Sequence, residues 1–281
     1  MGSVWLYVSG KAVKTLLLHL ALIAAVALTL FPLLWMLSVS LMSADEANRF
    51  PPPILPASPS LEHYRMLFAR LDIARYALNS FCIAAAVTVL SLLFNSMAGY
   101  AFAKLRRAGR DRLFGLLLAA MVIPSQVAML PLFLMLKELG LVNSYGGIVV
   151  PGMASIFGIF LIRQHALSIP DSLLDAARID GAGEFRIYWS LVLPLCKPIL
   201  VTLATFTFMG TWNDFMWPLV ILTDSDFYTL PVALANLMGE HAMDTELMMA
   251  GAVLTVLPVI LLFLVLQKYY IEGLVLGSVK E

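Results

Sequence analysis

The chain has 281 residues, 61% of them hydrophobic and 13% charged, with a mean hydropathy of +0.90. A soluble domain carries about 25% charged and roughly 45–50% apolar residues, so this composition excludes a water-soluble globular protein. Eighteen Lys and Arg balance eighteen Asp and Glu, which leaves no basic excess for a nucleic-acid partner.

Six stretches are long and apolar enough to span a bilayer, which takes roughly 20 residues: 15–38, 78–102, 113–136, 146–162, 199–222 and 247–266. Their continuous apolar runs, with no period-2 alternation, predict helices rather than a barrel. The sequence therefore predicts an all-α polytopic membrane protein, a single transmembrane domain over 1–281. The first stretch follows Lys11 and Lys14, but its apolar core is longer than that of a secretory signal and no small-residue cleavage site follows, so it is read as a span. Between the first two spans, Pro51, Pro52, Pro53, Pro56 and Pro59 predict a semi-rigid extended segment, and 61–68 a short amphipathic piece. Pro32, Pro124, Pro131, Pro218 and Pro258 lie inside spans as candidate kinks.

With both termini placed in the cytoplasm, the inner segments carry thirteen basic residues and the outer loops five, as the positive-inside rule requires. The acids divide the other way: an outer loop holds Asp224, Asp226, Glu240, Asp244 and Glu246 and has no basic residue. The neutral total is thus a cancellation between a basic inner face and an acidic outer one. Cys82 and Cys196 lie in or beside apolar runs, and His19, His63, His165 and His241 share no ligand spacing, so no disulfide or metal site is expected.

The inner loop, 163–198, is the most informative segment. Pro170 suits a first helical position, Asp171 the positive end of the helix dipole, and Gly181 a left-handed stop, which predicts a short helix over 171–180. Leu173, Leu174 and Ala177 share one face, while Asp175 and Arg178 are placed to pair. A capped helix with an apolar edge suits docking on another protein, the alternative being a helix lying on lipid headgroups.

The run Asp175-Ala-Ala-Arg-Ile-Asp-Gly-Ala-Gly, continuing through Phe185 and Ile187 to Pro194 and Pro198, resembles the EAA loop of permease subunits in ATP-driven, binding-protein-dependent importers. Tyr100-Ala-Phe-Ala-Lys, Pro124-Ser-Gln, Trp212-Asn-Asp-Phe-Met-Trp-Pro-Leu, Tyr228-Thr-Leu-Pro and the segment from Gln267 to Lys280 are similar to carbohydrate importers of the maltose and glycerol-phosphate type. The likeness covers essentially the whole chain, as the second six-helix permease of a heterodimeric pair. It departs at Asp175, where the family's usual residue is glutamate.

The resemblance implies partners: a second permease, two ATP-binding subunits on the cytoplasmic face that hold ATP and Mg, and an extracytoplasmic solute-binding protein, all at a bacterial or archaeal inner membrane. It assigns ATPase coupling to Asp171, Leu174, Asp175, Ala176, Ala177, Arg178, Asp180 and Gly181. The chain itself lacks the Gly-x-x-x-x-Gly-Lys phosphate cradle, so no ATP or other cofactor is expected on it and energy must come from a partner. The expected activity is movement of a sugar, such as a di- or oligosaccharide, or a sugar-like solute by alternating access. The acidic outer loop, at Asp224, Asp226, Glu240 and Asp244, is the expected contact for the binding protein.

Asp214 is the only Asp, Glu, Lys or Arg within the six stretches, about 12 Å from the outer end of its span at 1.5 Å per residue. An ionisable residue there needs a polar partner or a wet cavity. Ser91, Asn95, Trp212, Asn213, Asp214 and Trp217 form the candidate solute path, with interhelical bonding and packing as the alternative for each. A competing reading is an ion-coupled secondary transporter for a small polar solute, which calls for buried ionisable relays or broken midplane helices. Another is a membrane enzyme, for which the sequence offers no convergent nucleophile, base or metal cluster.

Overall fold

The computed structural model describes residues 2–70, 72–240 and 244–278, with side chains at 14–69, 72–236, 244–265 and 267. Every regular element among them is a helix, because a backbone without water must satisfy its own hydrogen bonds. Four helical stretches, Lys14–Val39, Ile73–Lys104, Gly146–Leu167 and Thr245–Val265, are long and apolar enough to cross a membrane. Two bent pairs raise the total to six if each is one span.

The residues divide into two compact units. One comprises residues up to 71 together with 237–256. Its first helix, Gly2–Val39, continues through Pro32, and the leucines from Leu16 to Leu34 lie 38–77% exposed, a surface fit for lipid or for another membrane protein. The proline-rich segment is tied down by side chains: Ser38 Oγ donates to the Ile54 carbonyl at 2.6 Å, Ser40 and Tyr64 share a hydroxyl bond at 2.8 Å, and His63 Nε2 meets the Met42 carbonyl at 2.7 Å. The expected amphipathic piece is the helix Glu62–Arg70, which buries Leu67.

The other unit, 72–236 and 257–281, is organised around Ile73–Lys104. This helix starts five residues before the expected span, where Asp72 accepts from the Arg75 backbone N–H at 3.3 Å. Ile156–Leu167 and Lys197–Trp212 pack along it. The approach is close because the contact residues are small: a Cβ on Gly99 would lie 2.7 Å from Ile162 Cβ, and one on Gly158 2.5 Å from Asn95 Nδ2.

Three expected spans differ in detail. The third, 113–136, is two helices, Arg110–Ala120 and Ser125–Glu138, meeting at 103°. Pro124 stands at the corner, lacking an N–H and disfavouring helical backbone at Ile123. The fourth extends from Gly146 to Leu167 as Gly146–Gly152 and Ile156–Leu167 with a break at 153–155, so the segment expected as an inner loop from 163 begins as helix. The fifth, 199–222, is interrupted: Lys197–Trp212 stops, residues 213–215 break the helix, and Met216–Ile221 resumes it. Before it, Glu184–Leu195, widened by a π turn at Tyr188–Val192, meets Lys197–Trp212 at 79°.

Candidate functional site: a clamped surface helix and a polar cavity

The expected docking helix runs over Asp171–Ile179, with Pro170 before it and Asp180 as its C-terminal cap. Gly181 follows at φ +81, and the Ala182 N–H closes onto the Ala177 carbonyl at 2.9 Å. That left-handed stop is what glycine provides cheaply. Nine residues are too few for a helix to persist in isolation, so its stability must come from what it packs on.

Leu174, 1% exposed, anchors it in a cluster with Tyr100, Ile169, Ile187, Tyr188, Val192 and Cys196. Leu174 therefore fixes the helix to its own chain rather than serving as a free docking surface. Leu173 and Ile179, 41% and 86% exposed, are the apolar side chains left open. Asp171, Asp175, Ala176, Arg178, Asp180 and Gly181 are exposed and Ala177 is half-buried.

Two residues of Ile73–Lys104, one helical turn apart, are linked to the two ends of this helix, Lys104 directly and Tyr100 through Glu184. At its start, Lys104, buried to 6%, donates to Asp171 at 2.7 Å and to the Ile169 carbonyl at 2.6 Å. The Lys104 hydrogen bond and charge hold the Asp171 carboxyl below the ordinary range. At its end, Tyr100 donates to Glu184 at 2.6 Å, Glu184 accepts from Arg178 at 2.8 Å, and Arg178 also donates to Asp175 at 2.7 Å. The bonds to Glu184 and then Asp175 push the Arg178 pKa up, so it stays cationic. The shorter Asp175 side chain reaches Arg178 without strain on the helix, an i,i+3 contact.

Tyr100, Lys104 and Glu184 were not among the sequence candidates for this site. Their pairings join residues 67 and 84 positions apart and leave no local periodic trace. The available signal was the Tyr100–Lys104 spacing at i,i+4. Beside the helix lies a groove of about 720 Å³, lined by Lys104, Arg106, Arg107, Arg110, Asp171, Asp175, Arg178 and Glu184.

At the other end of Ile73–Lys104, Arg75 pairs with Asp72 at 3.0 Å and also with Asp226. Asn79 donates to the carbonyls of Asp226 and Tyr228, each at 3.0 Å, and accepts from Tyr145 at 2.8 Å. Asn143, at φ +55, accepts from the backbone N–H groups of Thr223 and Asp224 at 3.0 and 2.9 Å, and Asp224 accepts from the Asp226 N–H at 3.0 Å. Asp224 and Asp226 thus have internal partners while remaining exposed. Asp244 is half-buried, and the Glu240 side chain lies outside the described residues.

The six candidate path residues separate. Ser91 and Asn95 are only 1% and 0% exposed: Asn95 donates to Ser91 Oγ at 2.6 Å and accepts from the Ser155 N–H at 2.9 Å, where it ties two helices together. Trp212 is 2% exposed and stacks on Phe208, centroids 6.1 Å apart. Asn213 is exposed and turns back to the Met209 carbonyl at 2.9 Å. Asp214 and Trp217 line a cavity of about 370 Å³ with Ser125, Gln126 and Thr211. Asp214 accepts from the Trp217 backbone N–H at 3.4 Å, and the Trp217 indole donates to the Gly147 carbonyl at 3.0 Å. The helix break at 213–215 and the bend at Pro124 frame this cavity, so a polar wall sits where regular helices stop.

A multi-pass helical membrane protein with a clamped, surface-borne helix and a separate polar cavity within its spans has the parts of a transporter subunit. The sequence places it: residues 95–274 match the family model of the binding-protein-dependent transport system inner membrane component, and the chain belongs to that family. It is 38% identical over 263 residues to the arabinooligosaccharides transport system permease protein AraQ of Halalkalibacterium halodurans, covering 92% of this chain and 94% of that protein. It is 31% identical to the lactose transport system permease protein LacG of Rhizobium radiobacter (91% and 93%) and 30% identical to the sn-glycerol-3-phosphate transport system permease protein UgpE of Brucella abortus (95% and 98%).

Among solved structures, a bacterial ABC transporter involved in the import of the acidic polysaccharide alginate matches with a TM-score of 0.81 and 25% identity, over 93% of this chain and 98% of that one. The chain is an inner-membrane permease subunit of an ATP-driven importer of sugars or sugar-like solutes, and it is not itself the ATPase. Family membership sets aside the ion-coupled carrier and the membrane enzyme.

Proposed function

We propose that the Asp171–Ile179 helix seats in a cleft of a separate ATP-binding subunit and carries its motion into the spans. The observation that bears this reading is the pair of links from Ile73–Lys104 to the two ends of that helix, Lys104 to Asp171 directly and Tyr100 to Arg178 by way of Glu184. A push on the helix is delivered to Ile73–Lys104 through an ion pair, a charge-assisted bond and the buried Leu174, rather than lost in a hinge. Leu173 and Ile179 supply the apolar edge for the cleft. Asp175, Ala176, Ala177, Arg178, Asp180 and Gly181 supply its polar and small-residue surround.

In this reading both termini and the basic loops face the cytoplasm. A second, different permease completes the pathway, and two ATP-binding subunits hold ATP and Mg. A loaded binding protein meets the acidic outer segment of the sequence that carries Asp224, Asp226, Glu240 and Asp244. ATP on one side and the loaded binding protein on the other bias two states of the permease pair. Asp214 and Trp217 face the solute path, while Ser91, Asn95 and Trp212 hold its walls and Asn213 marks the helix break.

Gly181 offers the test. Nothing lies within 4 Å of a Cβ built there, so within this chain a substitution acts through backbone strain alone. Gly181→Val, unable to hold φ +81 cheaply, is expected to cost about 1–2 kcal/mol at the helix stop and to reduce both assembly with the ATP-binding subunits and ATP-driven uptake. Gly181→Asn, which tolerates the left-handed region, keeps most of both. Equal assembly and uptake by the Val variant would remove the helix from the coupling path.

A further inference from the structure

The cavity around Asp214 has a chemistry that bears on what passes it. Its polar wall is Ser125, Gln126, Thr211 and Asp214, its flat apolar element is Trp217, and no lysine or arginine is among the described residues that line it. The hydroxyls, the amide and the carboxylate are donors and acceptors suited to sugar hydroxyls, and the indole ring suits the apolar face of a pyranose or furanose. Asp214 is the one carboxyl among the described lining residues, and when ionised it contributes one full negative charge. Against it stands the N-terminus of Ser125–Glu138, equivalent to roughly half a positive charge. The second nearby helix start, Met216–Ile221, is only six residues long and already gives its Trp217 N–H to Asp214 itself. With Asp214 ionised, its charge outweighs that half charge and the balance at the cavity wall is negative.

Resting on the reading that this cavity lies on the solute path, we propose that it makes the importer selective for uncharged polyhydroxylated solutes over anionic ones. The fold does not dictate that choice, since the solved alginate importer shares it while serving an acidic polysaccharide. The lining side chains do. A carboxylate or phosphate entering beside ionised Asp214 meets like charge, with no lysine or arginine among the described lining residues to neutralise it, whereas a neutral oligosaccharide gains an acceptor for its hydroxyls.

The test uses the assembled importer in vesicles, with exposed Cys82 replaced by serine and buried Cys196 left in place. Thr211→Cys puts a thiol in the cavity wall, and its modification is timed with a cationic and an anionic methanethiosulfonate, each normalised to its rate on a free thiol. The cationic reagent is expected to react on the order of tenfold faster, and Asp214→Asn, nearly isosteric, to bring the ratio to within about twofold of one. Equal rates, faster reaction of the anion, or a ratio indifferent to Asp214→Asn would overturn the proposal. So would ATP-driven uptake of sn-glycerol 3-phosphate or digalacturonate exceeding that of arabinotriose. Failure of both reagents to modify the thiol counts instead against the reading that the cavity lies on the solute path, and is distinct from any value of the labelling ratio.

Discussion

Leu174→Ala tests whether the surface helix is a rigid part of the permease. The wild-type side chain is 1% exposed among Tyr100, Ile169, Ile187, Tyr188, Val192 and Cys196, so truncation removes a fully buried isopropyl group and leaves a cavity. Such changes cost roughly 2–5 kcal/mol, and the cluster's two tyrosines and π turn limit how far the site can close. The whole cost falls on a nine-residue element with little stability of its own. If local undocking ordinarily requires about 3 kcal/mol, the variant populates the undocked helix to a large fraction, since each 1.4 kcal/mol is about tenfold.

The assay is the number of solutes transported per ATP hydrolysed in vesicles carrying the assembled importer. The expected result is a fall of about tenfold or more in that ratio, with hydrolysis itself retained by the partner subunits. Leu173→Ala, at a position already 41% exposed, serves as the comparison: it weakens binding of the ATP-binding subunits without uncoupling those that remain bound. A Leu174→Ala importer with wild-type coupling would refute the claim that this cluster carries the motion.

Three further outcomes follow from the same geometry. Tyr100→Phe and Glu184→Gln should each reduce coupling, and a double-mutant cycle between them should return an interaction of about 1–2 kcal/mol, because they share one bond at 2.6 Å; strict additivity would sever that link. Gly99→Ala should lower the thermal midpoint of the detergent-solubilised protein, at a cost of about 1–3 kcal/mol, since its Cβ would meet Ile162 Cβ at 2.7 Å and the Arg163 backbone nitrogen at 3.0 Å; an unchanged midpoint would contradict that packing. The Asp171 carboxyl has a folded pKa below its unfolded value, so its contribution is present above the unfolded pKa and lost only as pH falls through the depressed one. Carboxyl-carbon NMR of aspartate-labelled protein should find Asp171 titrating below pH 3.8, and Lys104→Met should return it towards that value.

The membrane-spanning regions were legible because hydrocarbon selects long apolar runs, a signal that needs no tertiary information. Their interruptions were not. Pro32 and Pro258 sit inside continuous helices while Pro124 marks a 103° corner, and a proline alone does not tell these cases apart. The surface helix was legible from Pro170, Asp171 and Gly181, which are local signals, and so was the Asp175–Arg178 pair. What holds that helix was hidden, because Lys104 and Tyr100 find Asp171 and Glu184 only through the fold. Leu174 read as a docking residue for the same reason: an apolar stripe records burial without saying against whom. Ser91 and Asn95 read equally well as path or packing until Ser155 and Gly158 came into contact with Asn95.

The central claim is that the Asp171–Ile179 helix lies on the cytoplasmic face and seats in the ATP-binding subunit. Ile179, 86% exposed, is the position to probe, as Ile179→Cys on a background with Cys82 replaced by serine. A membrane-impermeant maleimide should label it in inside-out vesicles stripped of the ATP-binding subunits, leave it unlabelled in right-side-out vesicles, and fail to label it once those subunits are restored. Labelling from the outer side, or undiminished labelling after the subunits rebind, would contradict the account.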